Sequence, residues 1–544
     1  MTPRKLSCFF SPLALSLALL GAACGSAGDA ESGGSGNVGF GGAQDIGQFR
    51  DLLDRGEIPG PSTLDANGFF NEHYAALPAA DCGQPLCLHG MVSVNQDWLG
   101  ESSQTLLRVA LNTSIDPSEL SAKPLDLVLV VDTSGSMAAD QRLNYVKQGM
   151  ELLIDGLSEG DRLGLVTYHS VGEIKAGLGE FAPESMKELV QGLSANGGTN
   201  IYEGMQLGMT MALQNLSPER QTRVILLSDG NITEGPGAEQ VTELSERYVG
   251  DGIGLTTIGV GDNFNVELMR GLAESGAGNF YYVEDPSAVT EVFSEELSYF
   301  VTPIALGLEI EVQSDPSFAL GKAVGAPRWE RVGTTGGSLS VPAVFLSSRT
   351  DSGPDENGRR GGGSSVYIKM ERREANELGS RLATLRASYR LPNSDEIVTQ
   401  EVSVQNAVGD ELPETGFVSH LEMLKAYAIY NLYTGLHRAS TQAQNSYDCA
   451  LGTLTTLRTS ALRWNERNPD EDISDDIALI GQFEANLAER GATAGACDEV
   501  WEDDYYYDST PVGCSTSGGT GSTGLAFFLL LLVFASRKSW LRRA

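Results

Sequence analysis

The stretch Leu125-Asp-Leu-Val-Leu-Val-Val-Asp132-Thr-Ser-Gly-Ser136 decides the fold of this chain. Its first half is a nearly continuous apolar run, and its second half is a polar loop that carries a carboxylate and two hydroxyls. A continuous apolar run is typical of a parallel strand buried on both faces, whereas a half-exposed strand would alternate. The stretch therefore predicts a central strand that ends in a polar loop.

Two further polar segments complete a pattern with this loop. They are Gly198-Thr199-Asn200 and Ser228-Asp229-Gly230, and the second directly follows the apolar run Val224-Ile-Leu-Leu227. Carboxyl ends of parallel strands meet at one edge of a sheet, where ligands of such folds bind. The donors brought together there would all be oxygens, which suits Mg, Mn or Ca better than Zn. The predicted metal ligands are Asp132, Ser134, Ser136, Thr199 and Asp229.

The segments around this pattern alternate between strand-like and helix-like. The predicted strands are residues 125–132, 161–168, 222–228, 253–260 and 280–283, and the predicted helices are 139–157, 183–193, 200–216, 238–248, 266–273 and 286–300. Such alternation predicts right-handed crossovers and helices on both faces of the sheet. The predicted fold class is therefore α/β, with a doubly wound, mainly parallel sheet of Rossmann-like type.

The three polar segments resemble the metal-ion-dependent adhesion site (MIDAS) of the von Willebrand factor A (VWA) domain. In that family the two serines and the threonine bind the metal through their hydroxyls, and the two aspartates often act through water. A carboxylate of the ligand completes the coordination shell. The resemblance assigns these roles to the five residues above and implies a divalent cation, with Mg expected first and Mn or Ca as alternatives. It also implies a protein partner that offers a carboxylate.

The segments Phe49 to Pro61 and Gly68-Phe-Phe-Asn-Glu-His-Tyr74 resemble the N-terminal module of bacterial YfbK-type VWA lipoproteins. In those proteins a β-rich region and terminal helices follow the VWA domain. Short apolar or alternating runs predict strands on both sides of the α/β region, at 91–94 and 105–111 before it and at 308–312, 338–346, 365–370, 382–389 and 397–404 after it. Both flanks are expected to build one sandwich-like β domain in which the VWA domain is inserted. Helices are expected at 414–440 and 477–489, paired as a hairpin.

The two ends of the chain predict export. Arg4-Lys5, an apolar stretch and Gly21-Ala-Ala-Cys24 read as a signal peptide, and the arrangement resembles the lipobox of bacterial lipoproteins with Cys24 acylated. Ordinary cleavage beside an incidental cysteine is the alternative. At the other end, an apolar run at 525–535 is too short to cross a bilayer as a helix and is followed by four basic residues. It resembles a surface-sorting signal, with a minimal membrane anchor as the alternative. The expected location is the outer membrane or cell surface of a bacterium.

These patterns divide the chain into eight predicted segments: signal peptide 1–23, flexible tether 24–44, N-terminal module 45–122, VWA domain 123–303, β-rich domain 304–410, helical region 411–497, acidic and Gly/Ser-rich stalk 498–523, and sorting or anchor segment 524–544.

Four of the seven cysteines lie outside the two terminal signals. An even set in an exported protein predicts disulfides, with Cys82 paired to Cys87 and Cys449 to Cys497. Zinc is the rival interpretation for the first pair, because His73 and His89 lie near it. The spacing matches no common zinc module.

The net charge of the chain and the absence of known catalytic motifs exclude several classes of function. The formal net charge is -35, which excludes nucleic-acid binding through the phosphate backbone. The sequence contains no P-loop, dinucleotide fingerprint, metalloprotease helix motif or nucleophile elbow. We therefore expect that this protein is not an enzyme. The prediction is a surface-tethered binding protein that captures an acidic group of a protein partner through its metal. A structural or regulatory part of an envelope complex is the alternative, and a metal-assisted hydrolase is a remote one.

Overall fold

Two β-sheets and three groups of helices make up the computed structural model. It describes residues 36–100, 103–115, 123–249, 251–261, 264–283, 292–293, 303–326, 328–347, 363–374, 379–392, 394, 396–406 and 416–493. All of these residues belong to the first of two compact units, Met1–Glu499. The predicted signal peptide, Cys24, the stalk, Cys497 and the sorting or anchor segment lie outside the described residues.

The first sheet forms the core of an α/β domain. Its strands are β2 (Gly42–Ala43), β5 (Leu125–Asp132), β6 (Arg162–Tyr168), β7 (Gly172–Gly179), β8 (Gln221–Ser228), β9 (Gly254–Val260) and β10 (Asn279–Val283). Their spatial order is β2-β10-β9-β8-β5-β6-β7. All neighbours are parallel except β6 and β7. The predicted mainly parallel, doubly wound sheet is thus confirmed, and the antiparallel edge strand β7 is an addition to it.

Helices cover both faces of this sheet. They are α3 (Arg142–Gly156), α4 (Pro183–Gln191), α5 (Ile201–Gln214), α6 (Ala238–Val249) and α7 (Val266–Ser275), and a 3-10 helix (Gly135–Gln141) precedes α3. Successive side chains of β5 alternate between the two apolar cores, with Leu129 on the α3 side and Val130 on the α5 side. Helix α5 can approach β5 closely because residue 208 is glycine: an added Cβ would lie 2.4 Å from Val130 Cγ2. Of the predicted helix 286–300, only Val292 and Phe293 are described.

The second sheet forms a β domain from both flanks of the α/β domain. Its strands are β1 (Gly36–Gly39), β3 (Cys87–Gln96), β4 (Ser103–Thr113), β11 (Pro303–Ser314), β12 (Phe318–Val324), β13 (Trp329–Val332), β14 (Gly336–Ser347), β15 (Ser365–Arg372), β16 (Arg381–Arg390), β17 (Ile397–Gln405) and β18 (Phe417–Val418). Strand β4 pairs with β15, so strands before and after the α/β domain share hydrogen bonds. The sheet folds over one apolar core, because Gly90 of β3 lies against Leu385 and Val404 of β16 and β17. The α/β domain is therefore inserted in the β domain, as expected.

The predicted flexible tether 24–44 is wrong at its C-terminal end. Strand β1 pairs with β14 and β4, and strand β2 pairs with β10. Val38 and Phe40 are buried in the core of the β domain. Residues 36–43 therefore connect the two sheets.

The C-terminal helices also differ from the prediction. There are three, α8 (Met423–Ala443), α9 (Tyr447–Arg467) and α10 (Glu471–Glu489), where a two-helix hairpin was expected. Ser446 and Asp470 cap the N-termini of α9 and α10, and their side chains accept hydrogen bonds from Cys449 N and Ile473 N. The predicted start at 414 is wrong because β18 occupies 417–418 and pairs with β3. No described helix is both long enough and apolar enough to cross a membrane.

The N-terminal module joins these parts. It contains α1 (Gly47–Asp54), a 3-10 turn (Pro61–Thr63) and α2 (Ala66–Asn71). Phe70 packs edge-on against Tyr367 of β15 and Tyr433 of α8. Glu72 accepts a hydrogen bond from Ile46 N at the start of α1 and pairs with Arg50. The next residue, His73, contacts Asp476 of α10, with its Nε2 2.6 Å from Asp476 Oδ2.

The burial of His437 on α8 can be tested by measuring how the stability of the protein depends on pH. Burial, and to a smaller extent Arg270, lowers the pKa of His437 to about 4. The unfolded chain therefore binds the proton more readily, and stability is lost as pH falls below the usual histidine pKa near 6.5. We expect His437→Gln to remove this loss, so that the stability difference between wild type and variant shifts by about 2 kcal/mol between neutral pH and about pH 5. Urea unfolding at the two pH values measures it, and an unchanged difference would contradict the burial of the imidazole.

Candidate metal site at the carboxyl edge of the sheet

Asp132, the last residue of β5, is held at the centre of the site by several donors. Its side chain is fully buried. Oδ1 accepts a hydrogen bond from Ser134 N at 2.8 Å, and Oδ2 accepts from Ser228 Oγ at 2.7 Å and Tyr168 OH at 3.3 Å. Burial raises the pKa of Asp132 to about 6, although the hydrogen bonds from Ser228 and Ser134 oppose the shift. This fixed, poorly solvated carboxylate gains strongly from a nearby cation.

The two serines of the first loop lie side by side. The Oγ atoms of Ser134 and Ser136 are 2.9 Å apart. Ser134 is buried, whereas Gly135 and Ser136 are exposed to solvent. The pair thus connects the buried carboxylate to the protein surface.

Backbone hydrogen bonds join the three loops. Gly135 N donates to Gly197 O, and Asn196 N donates to Thr133 O, which ties the first loop to the second. Thr199 O accepts from both Thr233 N and Glu234 N, which ties the second loop to the third. In the described part of the chain, the Thr199 hydroxyl has no hydrogen-bond partner. A threonine oxygen is therefore left available at the junction of the loops.

Asp229 follows β8 and is also fully buried. Its Oδ1 accepts a hydrogen bond from Asn231 N at 3.3 Å, and its Oδ2 lies 3.2 Å from Arg142 Nη1. The structure therefore brings all five predicted residues to loops at one edge of the sheet.

The donor set fits a hard divalent cation. It combines two buried carboxylates with neutral hydroxyls, one of which is unpartnered, and oxygen ligands of this kind suit Mg, Mn or Ca. Two carboxylates that approach each other in a buried site repel, and Asp229 indeed adds to the raised pKa of Asp132. A bound cation would relieve that repulsion. The residues that would hold it are Asp132, Ser134, Ser136, Thr199 and Asp229.

Four residues that shape the site were not predicted from the sequence. Ser228 and Tyr168 hold Asp132, Thr233 holds the loop of Thr199, and Arg142 contacts Asp229. Ser228 is the last residue of β8 and is adjacent to Asp229, so its position at the end of the strand was a usable signal. Tyr168, Thr233 and Arg142 reach the site only through the fold.

The three described cysteines are disulfide-bonded and do not form a metal site. Cys82 and Cys87, paired in the prediction, form a disulfide. His89 bonds Asn112, and His73 bonds Phe69 O and Asp476, so the rival zinc interpretation is wrong. Cys449 is also disulfide-bonded, and its predicted partner Cys497 lies outside the described residues.

Comparison with known families defines the class of this domain. Residues 126–295 match the family described as the von Willebrand factor type A domain. The α/β domain with its three-loop site is thus a VWA domain, a class that typically serves adhesion or protein interaction.

This chain is similar to a bacterial protein and to two solved structures. The Escherichia coli K12 protein YfbK is 27% identical over 220 residues, which cover 40% of this chain and 38% of YfbK. This chain is therefore a YfbK-like VWA protein. The match covers less than half of the length of YfbK. A solved VWA protein from Catenulispora acidiphila is 13% identical with a TM-score of 0.48, covering 71% of this chain and 88% of that one. Proximal thread matrix protein 1 of the mussel byssus, solved with a zinc-occupied MIDAS motif, is 21% identical with a TM-score of 0.29, covering 32% and 46%.

Proposed function

We propose that this protein is a bacterial envelope binding protein that captures an acidic group of a protein partner through a divalent cation. The cation, with Mg expected first, would be held by Asp132, Ser134, Ser136, Thr199 and Asp229. The observation that carries the proposal is the pair of buried carboxylates beneath the exposed Ser136. A cation bound there would be held by the buried carboxylates on its inner side and would remain accessible to a ligand from the solvent.

The position of the site supports docking of a large partner. The β domain contacts the opposite end of the α/β domain: Arg223 near the start of β8 lies over the ring of Phe345, and Ala277 packs with Ala343 and Phe345. Strand β8 begins near this contact and ends at the site, a rise of roughly 25 Å. The site edge therefore faces away from the β domain.

Attachment to the envelope is part of the proposal and rests on the sequence. Acylated Cys24, the C-terminal apolar segment, or both would hold the protein at the outer membrane or cell surface. The acidic chain argues for a protein partner rather than nucleic acid.

Partner capture under metal control tests this function. The purified protein, immobilised with Mg²⁺, is exposed to envelope extract of the source organism beside three comparisons: wild type in EDTA, Asp132→Ala, and the surface control Glu401→Gln in the β domain. We expect one partner to be retained by wild type and control and lost from the other two. Retention of the same partner in EDTA and by Asp132→Ala would contradict metal-bridged capture and favour the alternative, in which the cation only orders the loops.

A further inference from the structure

Arg142 is a buried cation in direct contact with the metal site. It is the first residue of α3, and its Nη1 lies 3.2 Å from Asp229 Oδ2. The exposed fraction of its side chain is 7%, and that of the Asp229 carboxylate is 0%. Its second charged neighbour, Asp140, is 73% exposed and lies 3.6 Å from Nη2, so solvent screens that contact. Asp229 is therefore the principal partner of the guanidinium.

Several features of the local structure disfavour an arginine at the start of α3. A positive charge at the start of a helix opposes the helix dipole. Asp140 and Gln141, which precede Arg142, have left-handed backbones with φ of 47° and 61°. The buried Nε has no hydrogen-bond partner in the described part of the chain. Helix stability therefore does not explain why an arginine is placed here.

The backbone of β9 leaves space for the side chain. Gly261 follows β9 with φ +83°, and an added Cβ would lie 2.3 Å from Arg142 Nε. A larger residue at 261 would displace the guanidinium from Asp229. The loop before α3 and the glycine after β9 thus both position Arg142 against one carboxylate.

We infer that Arg142 sets the net charge of the metal site, so that a bound divalent cation keeps positive charge for the carboxylate of a partner. This inference rests on the proposed metal-bridged function. Among the buried groups, two carboxylates and one guanidinium sum to one negative unit, and solvent screens the exposed carboxylates of Asp140 and Glu234. A divalent cation then leaves a net positive unit, whereas without Arg142 the site would be neutral. Arg142 thereby weakens binding of the cation alone and strengthens binding of an anion to the loaded site, because like charges repel and opposite charges attract in a buried site.

Titration with Mn²⁺ alone, followed by calorimetry, tests the first half of this inference. We expect Arg142→Gln to bind Mn²⁺ about tenfold more tightly than wild type. Repeating the titration in acetate tests the second half, since acetate supplies a carboxylate without a partner protein. Acetate should tighten Mn²⁺ binding to wild type and have at most a small effect on Arg142→Gln.

Two further variants serve as controls. Arg142→Lys retains the charge and is expected to bind Mn²⁺ within about twofold of wild type, which keeps the test valid if Arg142→Gln does not fold. Asp140→Asn changes the exposed neighbour, tolerates the left-handed backbone and is expected to leave Mn²⁺ affinity within about twofold. If Arg142→Gln binds Mn²⁺ no more tightly than wild type, or if Arg142→Lys changes the Mn²⁺ affinity tenfold, the role of Arg142 is overturned and the proposed function is not. Absence of Mn²⁺ binding by wild type would overturn the proposed function as well.

Discussion

Replacing Asp476 with alanine is expected to lower the free energy of unfolding by about 3 to 5 kcal/mol. Asp476 and His73 are both fully shielded from solvent, and Asp476 Oδ2 lies 2.6 Å from His73 Nε2. His73 Nδ1 lies 2.6 Å from the Phe69 carbonyl, which can only accept, so Nδ1 carries a proton. Removal of the carboxylate leaves the buried imidazole without its partner on α10. Urea unfolding followed by fluorescence measures the loss.

The exposed pair Arg386 and Glu401 provides the matched control. Its side chains are 62% and 57% exposed, so Glu401→Ala should cost less than about 1 kcal/mol. The double variant His73→Phe with Asp476→Leu separates pairing from packing, because replacing both members of a buried pair with apolar groups is often tolerated. A loss below about 1 kcal/mol in Asp476→Ala would show that His73 does not depend on this contact.

Replacing Asp132 with alanine is expected to weaken Mn²⁺ binding by about 100-fold or more. Loss of a residue that only supports a metal ligand typically lowers affinity by about 10-fold to 100-fold, and Asp132 contributes a buried charge of its own. Calorimetry with Mn²⁺ measures the change. The fold should persist, since removal of Asp132 also removes its repulsion with Asp229.

Ser228→Ala gives an intermediate expectation for the same titration. The serine hydroxyl donates to Asp132 Oδ2 and orients it, so its loss should weaken Mn²⁺ binding by about 10-fold. Glu401→Gln, at an exposed position of β17 in the β domain, should leave the affinity unchanged. Mn²⁺ binding by Asp132→Ala at wild-type affinity would place the cation elsewhere on the protein.

The sheet and its ligand loops were predictable because their signals are local. Residues 125–131 and 224–227 are apolar runs that admit few structures other than buried strands, and two of the three ligand loops follow them directly in the chain. The β domain was predictable as an insertion because strand-like runs occur on both sides of residues 123–303. In each case a short window of sequence contains the information.

The parts that were missed depend on partners distant in sequence. Strands β1 and β2 lie in a glycine-rich stretch with few side chains, and pairing with the distant strands β14, β4 and β10 orders it. Arg142 meets Asp229 across 87 residues of chain. Helix α9 is different, because its buried residues Ala450, Leu454, Leu457 and Ala461 have helical spacing. That signal was available, although threonine and glycine between these positions obscured it.

The strands at residues 36–43 determine how the protein would bear mechanical load. A pull between the metal edge and the chain before residue 36 would act first on β1, whose described pairing spans three residues of β14 and two of β4. Strand β2 would be loaded directly only after β1 had detached. Since the same tension acts along the whole path, the short pairing of β1 would yield before the longer VWA strands that carry the loops around Asp132. A bound partner would still be held by a folded site while the linkage lengthened.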